Sequence, residues 1–461
     1  MGILDTPGIS EKQIGRKYIN LPSNLGWAPS FVPRIYRDMQ TGTYSVDPFN
    51  ARDLVNSAIW SGAAYHVDVA TGVDTNTGLG AFDGDFRAPL LTIQQAIVLG
   101  NATGAPYRVY VKAGYYGGSR ALTGGSAVEP TQHAAFIGVG GVVRNTAGDG
   151  VINFSATTDA TYTNTYTASI ANLLQIRDML TRDSSSRFTD IPLLADPATV
   201  NSTSTGGYCI SGGLLYLRRA DGLRPTDANT LITRTNSAAR FMTCTTDLYF
   251  ENFAFYGGYD GALYCDPIAT RNIVTVNCEA SYAGGSAYTT ASDGVRIRRN
   301  QGLVCHVNIR AYGNTKDGLN YHRDSAVAGS MFVLTINPVS KGNGLFTATS
   351  CQAETSHDDV VSITVNPDYY DSKGSLYHHI EQAKCAVFGG QMIAGPLNST
   401  SGVARASNDV RMWIHGTKID AGSGPAIIAE ANTGTAYVAG ECSISGSISA
   451  TGGGQVLGWV N

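Results

Sequence analysis

Short apolar runs recur between residues 213 and 456, most of them opened by a glycine that follows Asp, Asn, Ser or Lys. They read Gly213-Leu214-Leu215-Tyr216, Asp260-Gly261-Ala262-Leu263-Tyr264, Asp293-Gly294-Val295, Asp317-Gly318-Leu319, Asn343-Gly344-Leu345-Phe346, Lys373-Gly374-Ser375-Leu376, Ser401-Gly402-Val403, Ser423-Gly424-Pro425-Ala426-Ile427 and Gly454-Gln455-Val456. From Gly261 onward the glycines step by 33, 24, 26, 30, 28, 22 and 30 residues. A repeat of about 20–30 residues, each unit a turn plus short strands, predicts a β-solenoid whose coils tolerate insertions. Asp-Gly and Asn-Gly predict φ > 0 turns leading into the strands. Strict alternation in Val274-x-Val276-x-Cys278, Leu303-x-Cys305-x-Val307-x-Ile309 and Ala383-x-Cys385-x-Val387 puts each cysteine on the apolar side of its strand. In a solenoid that side is the interior, so Cys278, Cys305, Cys351 and Cys385 are expected to point inward as thiols stacked on successive coils.

Other patterns divide the chain. Residues 1–60 are aperiodic and rich in Pro and Trp, which predicts an irregular arm with a short helix near 51–59. Residues 61–120 read as a capping segment and first coil. Thr92 is a candidate N-cap, and Ile93, Ala96 and Ile97 share one helical face. Such a helix would plug an open solenoid end, which otherwise exposes apolar core and unpaired strand edges. Residues 121–212 read as early coils interrupted by a Ser/Thr/Asp-rich insertion with a helix-like stretch at Ile170–Ile176. Residues 213–461 read as uninterrupted regular coils. The fold class is therefore all-β: a single-stranded parallel β-helix with an N-terminal capping helix and an irregular arm.

Composition agrees and narrows the function. Charged residues make up 15% of the 461, against about 25% in an average globular protein, while Gly numbers 54. The net charge of −4 offers no basic field for nucleic acid or anionic lipid. The eight cysteines include no Cys-x-x-Cys pair, which excludes a zinc ribbon or a thioredoxin-like motif. No stretch approaches the length of a membrane span, and Met1–Thr6 lacks the basic and apolar regions of a secretion leader. No nucleotide-binding loop is present, and neighbouring His378 and His379 would face opposite ways in a strand, so neither cofactor nor metal is expected.

Tyr65–Val69, the Gly72-x-Asp74-x-Asn76-x-Gly78 loop, Pro89-x-x-Thr92-Ile93-x-x-Ala96-Ile97 and the Val109-x-Val111-x-x-Gly114-x-Tyr116 run together resemble the start of pectate-lyase-like right-handed β-helices. Thr355–Val361, Gln382-Ala383-Lys384 and Arg411–Gly416 are similar to β-helical phage tail proteins. The resemblance implies a right-handed coil and a phage tailspike or tail-fibre protein. Such a protein recognises a bacterial surface polysaccharide, assembles as a homotrimer and fastens to phage tail or baseplate proteins through residues 1–60. Its place would be the virion.

The candidate chemistry centres on Glu354, His357, Asp358 and Asp359, with Asp317 and His322 nearby. Glycoside hydrolysis needs two carboxyls about 5–5.5 Å apart for retention or about 6.5–9.5 Å for inversion. Adjacent Asp358 and Asp359 point to opposite faces of an extended segment, so only one can share a site with Glu354. Asp293 and Asp317 occupy Asp-Gly slots, where a carboxylate caps a turn. The Asn-Thr-Asp, Gly-His-Gly and Arg-Ile-Lys motifs of polygalacturonases do not occur here in matching order. Tyr282, Tyr312, Tyr321, Tyr369 and Tyr377, with His322, are candidates for stacking on sugar rings, the alternative for the tyrosines being turn filling or subunit contacts. Three roles remain open: a depolymerase (hydrolase or lyase), a non-cleaving adhesin, and a structural tail component.

Overall fold

A computed structural model describes residues 15–122, 128–146, 154–156, 161–234, 239–285, 292–324, 326–346, 351–398 and 401–459. A 27-stranded sheet winds through them as a parallel β-solenoid, with strands three apart in sequence order hydrogen-bonded to each other. Each coil gives one short strand to each of three faces. The first face begins with Ala63–Val67 and Tyr107–Gly117 and continues through Leu303–Val307, Phe332–Ile336, Val361–Val365, Lys384–Phe388 and Arg411–His415 to Gln455–Trp459. The second runs from Phe253–Tyr256 through Glu279–Ser281, Arg310–Tyr312 and Val339–Lys341 to Asp368–Tyr370 and Gln391–Ile393. The third runs from Ala239–Phe241 through Gly261–Cys265, Asp293–Arg298, Leu319–His322, Glu354–His357 and Tyr377–His379 to Ala404–Ser407.

The corner between the first and second faces is made by Asn252, Asn277, Asn308, Asn337 and Asn366, all at φ between 50° and 60°. Asparagine tolerates this left-handed conformation because its short amide bonds locally. Here the amides also bond along the axis, Asn308 to Asn277 at 2.8 Å, Asn337 to Asn308 at 3.1 Å and Asn366 to Asn337 at 3.0 Å. The next two corners switch to Gly389 and Gly416, where a Cβ would lie 2.5 and 2.1 Å from the Tyr44 side chain. The Asp-Gly glycines behave differently from the sequence expectation. Gly261, Gly294 and Gly318 are not in the left-handed region. Gly294 and Gly318 are needed for space, since a Cβ would sit 2.5 Å from the Ala280 carbonyl oxygen and 2.0 Å from Ser340 Oγ, respectively.

The cap forms as the sequence predicts. A helix spans Ile93–Ala102, Thr92 Oγ1 accepts from the Gln95 amide at 3.0 Å, and Ile93, Ala96 and Ile97 are buried. The preceding loop holds the helix start in place. Asp74 Oδ1 accepts from the amides of Leu91 and Thr92, both at 2.9 Å, and Asn76 donates to the Pro89 carbonyl.

The insertion is larger than expected and contains no helix at 170–176. Leu173–Arg182 is a strand, paired antiparallel with Phe188–Asp190 and Thr230–Arg234. Gly213-Leu214-Leu215-Tyr216 is not a coil either: Leu214–Arg218 forms a hairpin with Gly207–Ser211 inside the insertion, and coil strands resume at Ala239. The insertion keeps its own core around Ile176, Tyr208, Leu215 and Ile232 and leans on the second face through Phe188 and Tyr282.

The arm returns along the outside of the first face. Its three-stranded antiparallel sheet (Arg16–Ile19, Ile35–Asp38, Tyr44–Val46) and two short 3-10 turns at 51–54 and 57–61 bury Ile19, Leu25, Ile35 and Ile59 against outward residues of the coils. Trp27 meets Phe332 and Trp60 meets Tyr249 edge-on, and Tyr44 bonds His415 and Glu441 at 3.0 Å each. The first face is therefore buried on both sides. All eight thiols are free. Cys278 and Cys385 lie inside the solenoid, and Cys385 stacks on Met412. Cys305 points the other way, in register with Val274 and Leu334 beneath the arm. Alternation correctly put Cys305 among apolar residues, but the wrong set.

Inside the solenoid the stacked columns change chemistry along the axis. One column reads Phe250, Thr275, His306, Thr335, Thr364, Val387, Ile414. Apolar coils at either end enclose a polar stratum that also holds Glu354, Ser356, Ser362, Tyr369, Tyr377 and His379, all essentially inaccessible.

Candidate functional site

With the first face under the arm and the second partly under the insertion, the third face carries an outward column in which Arg240, Arg296, His378 and Arg405 are part-exposed while Tyr264, Asn320 and Thr355 are buried. Register aligns Arg240, Tyr264, Arg296, Asn320, Thr355, His378, Arg405 and Ile428 in one column. Seven steps of about 4.8 Å give this column a length of roughly 34 Å. A second column holds Arg298, His322 and His357. The His322 and His357 rings stack at 3.6 Å with an interplanar angle of 16°.

These side chains are held in place by their neighbours. The guanidiniums of Arg240 and Arg296 flank the Tyr264 ring, 5.5 and 5.1 Å from its centroid, and each lies 3.6 Å from an oxygen of Asp260. Tyr264 Oη donates to Asp266 Oδ2 at 2.7 Å, and Arg299 pairs with Asp266 at 2.6 Å. Arg405 pairs with Glu430 at 2.6 Å, and His378 Nε2 bonds Ser407 Oγ at 2.9 Å. Burial holds the histidines neutral: His357 and His378 are pushed down to about 3, and His322 falls further beside the His357 ring. Neutral imidazoles, guanidiniums and amides in a row form a hydrogen-bonding surface. They do not form an acid–base pair poised near neutral pH.

The five residues expected to carry catalysis do not converge. Asp358 and Asp359 sit at the corner between the third and first faces, Asp358 in the left-handed region at φ 60°. Asp358 Oδ2 accepts from the Asp324 amide at 2.7 Å, Asp359 pairs with Arg323, and the Asp358 amide donates to Glu381. With Gln382, Asn408, Asp409 and Asn432 they line a cavity of about 440 Å³. Glu354 points into the solenoid, where it accepts from Thr364 Oγ1 at 2.8 Å and from Tyr369 Oη, and burial raises it to about 7. His357 faces outward. Asp317 lies at the opposite edge of the third face, fully buried beside Asp293. Asn320 Nδ2 donates to both of these carboxylates, at 3.1 Å to Asp293 and 2.8 Å to Asp317. Burial raises both, and each aspartate caps the following coil, Asp293 accepting from the Asp317 amide and Asp317 from the Gln352 amide. The capping expectation for these two residues stands, with the cap closing the next coil.

The tyrosines expected to stack on sugars are corrected by their burial. Tyr321, Tyr369 and Tyr377 are 0% exposed inside the solenoid. Tyr282 is 0% exposed beneath the insertion, stacked on Phe188 with Arg177 over its ring, and Tyr312 is buried nearby. Of that set only His322 reaches the third face. Sequence reasoning did not bring Arg240, Tyr264, Arg296, His378 and Arg405 together on one face. The available signal was the run of polar residues at alternate positions in strands whose other positions are apolar or small, as in Gly294-Val295-Arg296-Ile297-Arg298.

Among the described residues no group of three or more His, Cys, Asp and Glu is placed to hold a metal ion, and no helix is long and apolar enough to cross a membrane.

No protein-family model matches the chain, and no curated protein matches it. Two solved structures are similar to it, the native protein and the selenomethionine derivative of a GH136 lacto-N-biosidase from Eubacterium ramulus. Each is 10% identical; they cover 86% and 87% of this chain and 68% and 67% of their own, with TM-scores of 0.29 and 0.27. Likeness at that level establishes no shared chemistry.

Proposed function

We propose that the chain is a polysaccharide-binding β-helix and that an extended glycan lies along the third face. The observation that carries this reading is the row of part-exposed Arg240, Arg296, His378 and Arg405 side chains on the third face, set around the buried Tyr264 and Asn320, beside one face sealed by the arm and another partly covered by the insertion. Guanidiniums and neutral imidazoles supply donors and acceptors for sugar hydroxyls at each coil. A rigid rod pre-organises them at regular spacing, which reduces the ordering cost of binding a long chain. Together with the sequence resemblance, this supports a phage tailspike or tail-fibre protein, trimeric on the virion, that attaches to a bacterial surface polysaccharide. Non-cleaving recognition is favoured over depolymerisation because the catalytic candidates are dispersed and each is engaged in structural hydrogen bonds. A hydrolytic reading would have to rest on Asp293 and Asp317, which burial raises, the Asp317 charge adding to the rise at Asp293.

The test is surface plasmon resonance on immobilised bacterial capsule and lipopolysaccharide chains, with reducing-end and unsaturated-product assays on the same mixtures. Arg296→Ala combined with His357→Ala is expected to weaken binding by tenfold or more without altering the β-sheet circular dichroism. Unchanged affinity in that double variant would remove the third face from consideration. Product release abolished by Asp293→Asn would establish the hydrolytic reading instead.

A further inference from the structure

A second charged site lies between the insertion and the second face of the solenoid. Register places Arg144, Ala254, Glu279 and Arg310 in one outward column on successive coils. The small side chain of Ala254 leaves a gap beside its long neighbours. The insertion roofs that gap with Met179, Leu180, Arg182 and Phe188, enclosing a cavity of about 350 Å³ whose inner wall includes Tyr256. A cavity of this size falls at the lower end of small-ligand sites.

The charges in this cavity are unusual in lacking one another. Among the described residues none of Arg144, Arg182, Arg310 and Glu279 forms an ion pair, and burial raises the Glu279 carboxyl against the opposing pull of Ser281 and the three arginines. Arg144 donates to the Asp227 backbone carbonyl at 3.2 Å, and Arg182 donates to the Ser186 carbonyl and lies over the Phe188 ring at 4.4 Å. Arg182 and Arg310 are exposed at the mouth. Glu279 Oε1 is sealed from solvent without a hydrogen-bond partner. The other charges nearby are already engaged: Arg177 pairs with Asp190, Lys341 with Asp368, and the Asp227 carboxylate faces Arg120 and Arg144. Positive charge is therefore in excess at the mouth, with a single acceptor and aromatic rings behind it.

Resting on the polysaccharide-binding reading above, we infer that this cavity takes a carboxylate-bearing sugar unit, so that the glycan recognised is acidic. Each wall matches one part of such a unit. Arg182 and Arg310 offer forked donors to a carboxylate. The part-exposed Glu279 side chain in the cavity wall accepts from a sugar hydroxyl. The edges of Tyr256 and Phe188 in the cavity wall meet the apolar C–H part of the sugar. A bare phosphate satisfies the arginines but brings no hydroxyl to Glu279 and no apolar side to the aromatic wall, which is why an acidic sugar fits better than an inorganic oxyanion.

Isothermal titration calorimetry of the full chain with tetragalacturonate, a sialic acid tetramer, neutral galactotetraose and inorganic phosphate tests this. At least one acidic tetramer is expected to bind, more weakly as salt is raised, with galactotetraose and phosphate at least tenfold weaker. Arg310→Ala and Arg182→Ala should each weaken the acidic tetramer by tenfold or more, and Glu279→Ala should weaken it while circular dichroism stays unchanged. Equal affinity for galactotetraose, full competition by phosphate, or wild-type affinity in both arginine variants would overturn the inference. Arg296→Ala on the third face separates the two readings: it lowers affinity for the long polysaccharide and leaves tetramer binding in place. If instead Arg296→Ala abolishes tetramer binding and Arg310→Ala does not, the cavity is refuted while the third face stands.

Discussion

On the arm-covered face the outward column reads Ala135, Tyr249, Val274, Cys305, Leu334, Ile363, Ala386, Trp413; on the open face it reads Arg240, Tyr264, Arg296, Asn320, Thr355, His378, Arg405. Both columns stand on parallel strands of the same solenoid, with the same axial rise and inward partners from a common interior. The difference lies in what meets them from outside. A sheet face that receives an apolar arm must be apolar itself, because stranded polar groups there would lose water without gaining partners. A face left open keeps polar side chains and becomes available to a ligand.

Removing the arm should break this comparison most severely. The sequence alone suggests that deleting residues 1–60 leaves a folded rod, since the capping helix follows the arm. The covered column alters that expectation, because deletion exposes a contiguous apolar strip far larger than the scattered apolar residues a soluble surface carries. The truncated protein is expected to self-associate and to bind an apolar fluorescent dye strongly, as read by light scattering and dye emission. A monodisperse, dye-negative truncation would show that the arm contributes little.

A paired substitution sharpens the contrast at single residues. Leu334→Ser is expected to destabilise by roughly 3 kcal/mol through a cavity and a buried hydroxyl. Arg405→Ser, at a part-exposed ion pair with Glu430, is expected to cost under about 1 kcal/mol. Denaturant midpoints of the two variants measure the difference, and comparable losses would contradict the distinction between the faces.

The interior behind both faces gives an effect that shows only as pH changes. Glu354 is raised from its ordinary value to about 7 by burial. A folded-state value above the unfolded one favours the protonated native protein, so its contribution is fully present below about pH 4.5 and is lost as pH rises through 7. The loss amounts to at most roughly 3 kcal/mol. Glu354→Gln should remove it, so the variant gains on the wild type between pH 5 and 8. The buried histidines, lowered by burial, act in the opposite direction as pH falls below 6.5, and they cancel in the difference between the two proteins. A pH-independent difference in unfolding free energy would refute the assignment.

The parts of this architecture legible in the sequence are local. Thr92 and the apolar face after it define the cap within a few residues, and the repeat length is enough to give the solenoid. The asparagine corner was equally legible, in Val276-Asn277, Val307-Asn308, Ile336-Asn337 and Val365-Asn366, but the Asp-Gly glycines drew attention to the opposite corner. Cys305 was not readable, because both sides of its strand are buried and the cover lies some 250 residues earlier in the chain. Glu354 shows the same difficulty at finer scale. A shift of one residue exchanges inward and outward positions, and only the register with Leu319 and Tyr377 places its carboxylate inside. The His322–His357 stack depends on that register as well, across intervening turns of unequal length.

The arm imposes an order on biosynthesis. Residues 15–61 leave the ribosome before any of the surface they will cover exists. Tyr44 finds its partners His415 and Glu441 only after 371 and 397 further residues have been added. A repeat protein ordinarily folds by adding each unit to the one before it, and these coils can do so; Trp60 can meet Tyr249 and Trp27 can meet Phe332 as the rod grows, but Tyr44 has to wait for the last coils. Until each contact forms, the arm's apolar residues there are solvent-exposed on a growing chain, the condition under which nascent proteins aggregate or engage chaperones. Docking of the arm is therefore completed last at Tyr44: a chain interrupted before residue 415 lacks both of its hydrogen-bond partners, even where Trp60 and Trp27 have found theirs.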